Sequence, residues 1–142
     1  MPETKPSWGR HVLWAVTSAE FMHQAKETME GGAFCVFLID NTVNEEAKGG
    51  CAALVIAYAR AHEPVTILPD GAAVLLLKDG GAAAGHVVAL RVLERAGRLH
   101  LKENLRVGIA DIGSDPKADM EKAVKAAHRA KAGDIEVVEP EG

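Results

Sequence analysis

The chain has 142 residues, a formal net charge of −4, 48% apolar residues and 25% charged residues. Its length fits one domain with a single core, and a composition this close to the globular average excludes wholesale disorder. The small acidic excess gives no long-range attraction to nucleic acid or to anionic lipid, so we expect neither nucleic acid nor a membrane as a partner.

The spacing of apolar residues and turn formers predicts nine elements in the order α-β-α-β-β-α-β-α-β. Ser18 is the candidate N-cap of the first helix. A tight hairpin turn is predicted at Pro69-Asp70-Gly71, with the glycine at positive φ. The predicted helices span 19–30, 44–62, 82–99 and 116–132, and the predicted strands span 33–39, 65–68, 72–77, 105–112 and 135–138.

This order indicates the fold class. A hairpin between two βα units is incompatible with a plain doubly wound parallel sheet. We therefore expect an α/β protein of the α+β type, with a mixed central sheet flanked by helices in a ferredoxin-like, split βαβ arrangement. The side chains expected to be buried around this sheet are Phe34, Val36, Leu38, Leu54, Ile67, Leu76, Val88, Val107, Ile109 and Val124.

The same pattern predicts one folded unit. We expect a flexible lead-in at residues 1–9, a single domain at residues 10–139 and a tail at residues 140–142. No apolar run approaches the roughly 20 residues of a membrane helix, and the first residues lack the apolar core of a secretion signal. Two cysteines are too few for a disulfide scaffold, so we expect a cytoplasmic protein with reduced thiols.

Several short runs resemble a known family. The run LRVGIA at 105–110 is similar to a strand pattern Val-Ser-Ile-Gly-Ile-Ala, and the run AAHRAKAG at 126–133 is similar to a helix end Ala-Leu-Tyr-Arg-Ala-Lys-x-x-Gly. Both patterns are those of the GGDEF family, the diguanylate cyclase domains related to the nucleotidyl cyclase and polymerase palm. The resemblance covers roughly residues 12–138 and implies the GGDEF-like palm topology.

The resemblance implies a nucleotide site at the ends of the strands. The strand from Ala33 to Asp40 looks like the one that ends on the family's first metal-binding aspartate, so Asp40 is a candidate Mg²⁺ ligand. Lys131 stands where the family has a phosphate-binding lysine. From the residues alone, Asp40 has a second interpretation as a turn or N-cap residue. No cofactor is expected, apart from Mg²⁺ if a nucleotide is bound.

The turn that carries the family signature, Gly-Gly-Asp/Glu-Glu-Phe, has two alignments. If the turn is 68–72, Asp70 fills the acidic third position and is a second candidate metal ligand. If the turn is 69–73, no acid fills that position. Under the latter alignment only, Arg60 and Glu63 fall on the family's Arg-x-x-Asp product-inhibition motif and become candidate nucleotide-binding residues.

Much of the family's catalytic set is missing. The Gly-Gly pair, the glutamate and the phenylalanine of the signature have no counterparts, and Asp134 replaces an arginine where the triphosphate binds. We therefore expect no enzyme activity, and a degenerate GGDEF-like domain that acts in regulation or as a scaffold by binding another protein, with self-association as a homodimer. The alternatives are a receptor for cyclic di-GMP or a guanine nucleotide, and a residual Mg²⁺-dependent nucleotidyl transferase.

A basic stripe is the candidate partner-binding surface. Arg91, Arg95 and Arg98 have the i, i+4, i+7 spacing that puts side chains on one helix face. Such a stripe can bind an acidic partner, and it can also be the solvated face of an amphipathic helix.

Overall fold

Helices cover both faces of a mixed five-stranded sheet in the computed structural model, which describes residues 15–28, 31–40, 42–59 and 63–138. The predicted order of elements and the predicted α+β fold class are confirmed. The lead-in 1–9, the tail 140–142 and Arg60 lie outside the described residues. The helices are α1 (Ser18–Thr28), α2 (Glu45–Tyr58), α3 (Gly81–Arg98) and α4 (Pro116–Arg129), and the strands are β1 (Ala33–Ile39), β2 (Val65–Ile67), β3 (Ala73–Leu77), β4 (Leu105–Asp111) and β5 (Ile135–Val137).

The strand order is β2-β3-β1-β4-β5, with β1 antiparallel to both of its neighbours. The hairpin partners β2 and β3 are antiparallel, and β4 and β5 are parallel. These directions bring the end of β1, the β2–β3 turn and the starts of β4 and β5 to the same edge of the sheet. We call this edge the carboxyl edge of β1.

Side chains of the central strands alternate between two apolar layers, because successive residues of a strand point to opposite faces. Cys35 and Phe37 face the layer that holds α2 and α3. Phe34 and Val36 face the layer that holds α1 and α4, where the Phe34 ring centroid lies 5.9 Å from that of Phe21. The continuous apolar run of β1 therefore reflects coverage on both faces, as its sequence predicted.

The predicted core residues divide into two groups. Five are fully buried in the two layers: Phe34, Val36, Leu76, Val107 and Ile109. The other five are only partly buried, so full burial was wrong for them; they pack at the margins of the same layers: Leu38, Leu54, Ile67, Val88 and Val124.

Helix ends differ from the prediction by a few residues. Thr17, not Ser18, caps α1, because the Thr17 side-chain oxygen accepts a hydrogen bond from the backbone N–H of Glu20 at 3.1 Å. The helix α2 ends at Tyr58, earlier than predicted, because Ala59 has extended backbone with φ −73° and ψ 143°. The helix α4 also ends early, again before an extended residue.

Both cysteines are free thiols in the core. Burial raises the pKa of Cys51 to about 11 and raises that of Cys35 further. Both side chains are therefore neutral at physiological pH and contribute packing rather than nucleophilic chemistry. None of the described helices is both long enough and apolar enough to cross a bilayer.

Candidate functional site

The two aspartates predicted as metal ligands line the same pocket at the carboxyl edge of β1. Asp40 directly follows β1, and Asp70 lies in the turn between β2 and β3. The pocket is a cavity of about 260 Å³, open to solvent. Its lining residues are Leu38, Ile39, Asp40, Asp70, Arg106 and His128.

Asp40 is held by the turn that follows it. Its Oδ1 accepts a hydrogen bond from the backbone N–H of Thr42 at 3.0 Å. Hydrogen bonds from the Thr42 backbone and side chain hold the pKa of Asp40 below its ordinary value, and the Arg106 guanidinium acts in the same direction. Asp40 is thus a carboxylate at neutral pH, and the interpretation of this residue as a turn former has a direct structural basis.

Asp70 has the same role in the hairpin. Its Oδ1 accepts a hydrogen bond from the backbone N–H of Ala72 at 3.0 Å, and Gly71 N donates to Leu68 O at 2.8 Å. Gly71 has φ +95°, which confirms the predicted positive φ. The short side chain of aspartate and the conformational freedom of glycine close this turn, so Asp70 reaches the pocket as a consequence of turn geometry.

Arg106 and His128 complete the pocket, and sequence reasoning did not select them as site residues. Arg106 is the exposed second residue of β4, between buried Leu105 and Val107, and it lies opposite Leu38 of β1. His128 is in the last turn of α4. Two signals were available: a charge inside an otherwise apolar strand, and departures from the serine and the tyrosine of the patterns that these runs resemble.

The residues present do not fit the Mg²⁺ site that the resemblance implies. Mg²⁺ needs near-octahedral oxygen ligands. Here each carboxylate has one oxygen engaged by a turn amide. A guanidinium lines the same cavity and repels a second cation. Among the described residues, no group of three or more histidine, cysteine, aspartate and glutamate side chains is placed to hold a metal ion.

No family model and no curated protein matches the chain, but solved structures do. The GGDEF domain of FimX from Pseudomonas aeruginosa has a TM-score of 0.71 at 13% identity, covering 97% of this chain and 100% of that chain. The GGDEF domain of TpbB, also called YfiN, from the same organism has a TM-score of 0.77 at 16% identity, covering 96% of this chain and 95% of that chain. The chain has the GGDEF fold. An EAL/GGDEF domain protein from M. capsulatus is also similar, with a TM-score of 0.61 at 14% identity over 86% of this chain and 96% of that chain.

Within the GGDEF fold, Lys131 and Asp134 lie in the loop between α4 and β5. The loop is fixed to the carboxyl edge of β1, because Gly133 N donates to Leu105 O at 2.6 Å and Val107 N donates to the carbonyl of Asp134 at 3.1 Å. Both side chains are exposed and neither lines the pocket. The loop therefore brings one positive and one negative charge to the same edge as Asp40 and adds no net positive charge.

Glu63 lies away from this pocket. It precedes β2, whereas Asp70 follows it, so the two residues are at opposite ends of the same strand. The Glu63 side chain is buried, with 5% of the residue exposed. The structure does not bring Glu63 to the pocket.

The three arginines of the basic stripe are exposed on α3, on the other side of the sheet from the pocket. The Arg98 guanidinium lies 3.5 Å from the Glu94 carboxylate. Two large apolar side chains lie on the solvent side of the same helix, Val87 at 48% and Leu90 at 51% exposure. We call Val87, Leu90, Arg91, Arg95 and Arg98 the α3 face.

Proposed function

We propose that this chain is a non-catalytic domain of GGDEF fold, which acts as a regulatory or scaffold protein by binding another protein. One observation supports the loss of catalysis above all. The two carboxylates of the pocket are held by their own turns and share the cavity with Arg106, where phosphoryl transfer would need a divalent cation.

The size of the expected defect follows from the chemistry. Transfer of a phosphoryl group between nucleotides depends on positioning and on neutralising the developing charge. Loss of one such contact typically lowers turnover by about 10²–10³-fold, or roughly 3–4 kcal/mol. This chain lacks several together, including the signature glycines and the arginine that Asp134 replaces, so we expect no useful turnover.

The α3 face supports the choice of a protein partner. Val87 and Leu90 lie one turn apart, which makes a small apolar strip beside Arg91 and Arg98. Apolar contacts next to arginine are typical of the centres of protein interfaces. The partner that this chemistry fits is a protein with an apolar surface bordered by acidic residues.

The receptor alternative has less support from the pocket. The phosphate groups of a guanine nucleotide or of cyclic di-GMP are bound most strongly by arginine and other cations. The cavity holds one arginine against two aspartates, so the fixed charges of these three groups sum to −1. Phosphate groups would be repelled rather than attracted.

The decisive experiment is incubation of the full chain with labelled GTP and Mg²⁺, followed by chromatography. An active diguanylate cyclase serves as the positive control, and Asp40→Ala as the matched variant. We expect no cyclic di-GMP above the protein-free blank at any protein concentration. A product peak that disappears in Asp40→Ala would overturn the proposal and favour the residual nucleotidyl transferase.

Isothermal titration with cyclic di-GMP and GTP, with and without Mg²⁺, tests the receptor alternative, for which we expect no heat of binding.

A further inference from the structure

We propose that Arg106, which lines the same cavity as Asp40 and Asp70, keeps divalent metal ions out of the pocket through its fixed positive charge. Arg106 is then the cation that the carboxylates meet, and divalent ions are excluded from the cavity. This exclusion does not depend on binding of a partner through the α3 face.

The backbone fixes the position of the guanidinium. Arg106 pairs with Leu38 in the register of β4 against β1. Its neighbours Leu105 and Val107 are fully buried on the other face of the sheet, which holds this stretch of β4 in place. The Arg106 side chain must therefore emerge on the face of α4, where it lines the cavity with Asp40 and Asp70.

Charge makes the guanidinium and a divalent cation competitors. An arginine is always protonated, so the positive charge is permanent. The Arg106 guanidinium favours the charged form of Asp40, as a cation in the cavity would, although the hydrogen bonds from Thr42 have the larger effect on the pKa. A divalent cation that entered the cavity would meet this fixed charge at short range, in a setting exposed enough for salt to screen the repulsion.

An ionised carboxylate has about four acceptor sites, so the turn hydrogen bonds do not exhaust the lone pairs of either aspartate. Thr42 engages Oδ1 of Asp40, and Ala72 engages Oδ1 of Asp70. Removing the guanidinium would leave two carboxylates on one cavity, with water to complete a coordination shell. Loss of Arg106 is therefore expected to create weak binding of a divalent cation where the native chain excludes it.

The test measures binding of Mn²⁺ to the full chain at low ionic strength, by the loss of the electron paramagnetic resonance signal of the free ion. We expect Arg106→Ser to bind Mn²⁺ at least roughly tenfold more tightly than the native chain, because a fixed positive charge on the same cavity repels a doubly charged ion at low ionic strength. Arg106→Lys keeps the charge and should still exclude the ion. Adding Asp40→Asn to Arg106→Ser should abolish the gained binding.

Lys117→Ser is the matched control, since it removes one exposed positive charge at the opposite end of α4 from His128. If Lys117→Ser gains as much affinity as Arg106→Ser, net charge and not the pocket is responsible, and the proposal fails. It also fails if Arg106→Ser gains nothing, or if the native chain already binds Mn²⁺ through Asp40. Arg106→Gln, which retains the length of the side chain, replaces the serine variant if circular dichroism shows that the latter does not fold.

Failure here and failure of the proposed function are separable. Turnover of GTP by the native chain would contradict the non-catalytic role, whatever Arg106→Ser does with Mn²⁺. Conversely, if Arg106→Ser gains no Mn²⁺ binding, only the role of Arg106 is contradicted. The absence of turnover would then need an explanation other than the charge of Arg106.

Discussion

Asp40 and Asp70 each accept a hydrogen bond from a backbone amide of their own turn, and each also places a carboxylate on the pocket. The sequence left a structural and a chemical interpretation open for Asp40, since aspartate is a turn former and a hard metal ligand. The structure adds the hydrogen bonds from Thr42 and Ala72, which explain both residues without a metal ion.

The position of Arg106 in the pocket could not be predicted from the neighbouring residues in the sequence, for a physical reason. It reaches the pocket only because β1 and β4, which are far apart in the chain, pair in a particular register. A shift of that register by one residue would move the guanidinium to the opposite face. Residues that close turns can be predicted locally, whereas residues that meet across a sheet cannot.

The hydrogen bonds to the Asp40 carboxylate have a measurable effect on its titration. We expect Asp40 to titrate below the ordinary aspartate pKa of about 3.9, because the hydrogen bonds from Thr42 favour the charged form. In Arg106→Ser the midpoint should rise and still stay below the ordinary value, since Thr42 remains. Titration of the side-chain carboxyl carbon by NMR measures both midpoints.

The sign of the effect on stability follows from linkage. Because the folded pKa is the lower one, the stabilisation is complete above the unfolded pKa and is lost as the pH falls through the folded pKa. Asp40→Asn should therefore unfold with a weaker dependence on pH below about 4. A midpoint for Asp40 at or above the ordinary value would contradict the assigned hydrogen bonds.

At the scale of elements, the packing of α4 on β4 depends on Gly108. A Cβ atom on this residue would overlap the carbonyl oxygen of Ala123 and the backbone nitrogen of Ala127. The helix therefore lies directly against the strand backbone. The glycine in the run LRVGIA is thus explained by a close approach of two backbones rather than by turn geometry.

We expect Gly108→Ala to destabilise the fold by at least about 3 kcal/mol, at or above the upper end of the usual cost of overpacking, because backbone atoms cannot move aside as a side chain can. Gly50→Ala is the control: it lies inside α2, and nothing stands within 4 Å of the added carbon. That change should stabilise the fold by roughly 0.5–1 kcal/mol, the helix preference of alanine over glycine. Urea unfolding of both variants gives the two free energies, and equal midpoints would show that α4 does not contact β4 as described.

The extent of the elements was only partly predictable. Apolar periodicity located each α-helix and each strand of the described chain, because burial of one or both faces leaves a pattern in the residues themselves. The short 3₁₀ helix Lys102–Asn104 has no buried residue and was not predicted. The prediction of full burial was wrong for Leu54 and Val88, which are partly buried. The apolar pattern shows which side of a helix faces the core, but it does not show how far the neighbouring layer extends over that side. The end of α2 was missed because it rests on the backbone angles of Ala59, an excellent helix former by propensity.

At the scale of the whole molecule, the two candidate surfaces lie on different sides of the sheet. The pocket opens at the edge beside α4, and the α3 face belongs to the layer of α2 and α3. A substitution in one surface has no shared contacts with the other, so their effects should add. This separation makes it possible to assign a cellular function to one surface.

Because the two surfaces are separate, substitutions in each can be compared in cells. Replacing Arg91, Arg95 and Arg98 by glutamate should abolish any cellular activity that depends on this chain, because an acidic partner would then meet like charge. Leu90→Asp should have the same effect through the apolar strip. Asp40→Ala should leave that activity intact. Each variant replaces the native chain in cells. The measurement is whether the cells then show the phenotype that deletion of the chain causes.

A pair of controls excludes loss of the fold as the cause. The arginines are exposed. The free energy of unfolding of the triple variant should therefore differ from that of the native chain by no more than about 0.5 kcal/mol per substitution. Glutamate at Lys117 and Lys125, exposed on α4, reverses charge elsewhere and should preserve activity. The opposite result, activity kept in the arginine variant and lost in Asp40→Ala, would move the function from the α3 face to the pocket, because only the pocket contains Asp40.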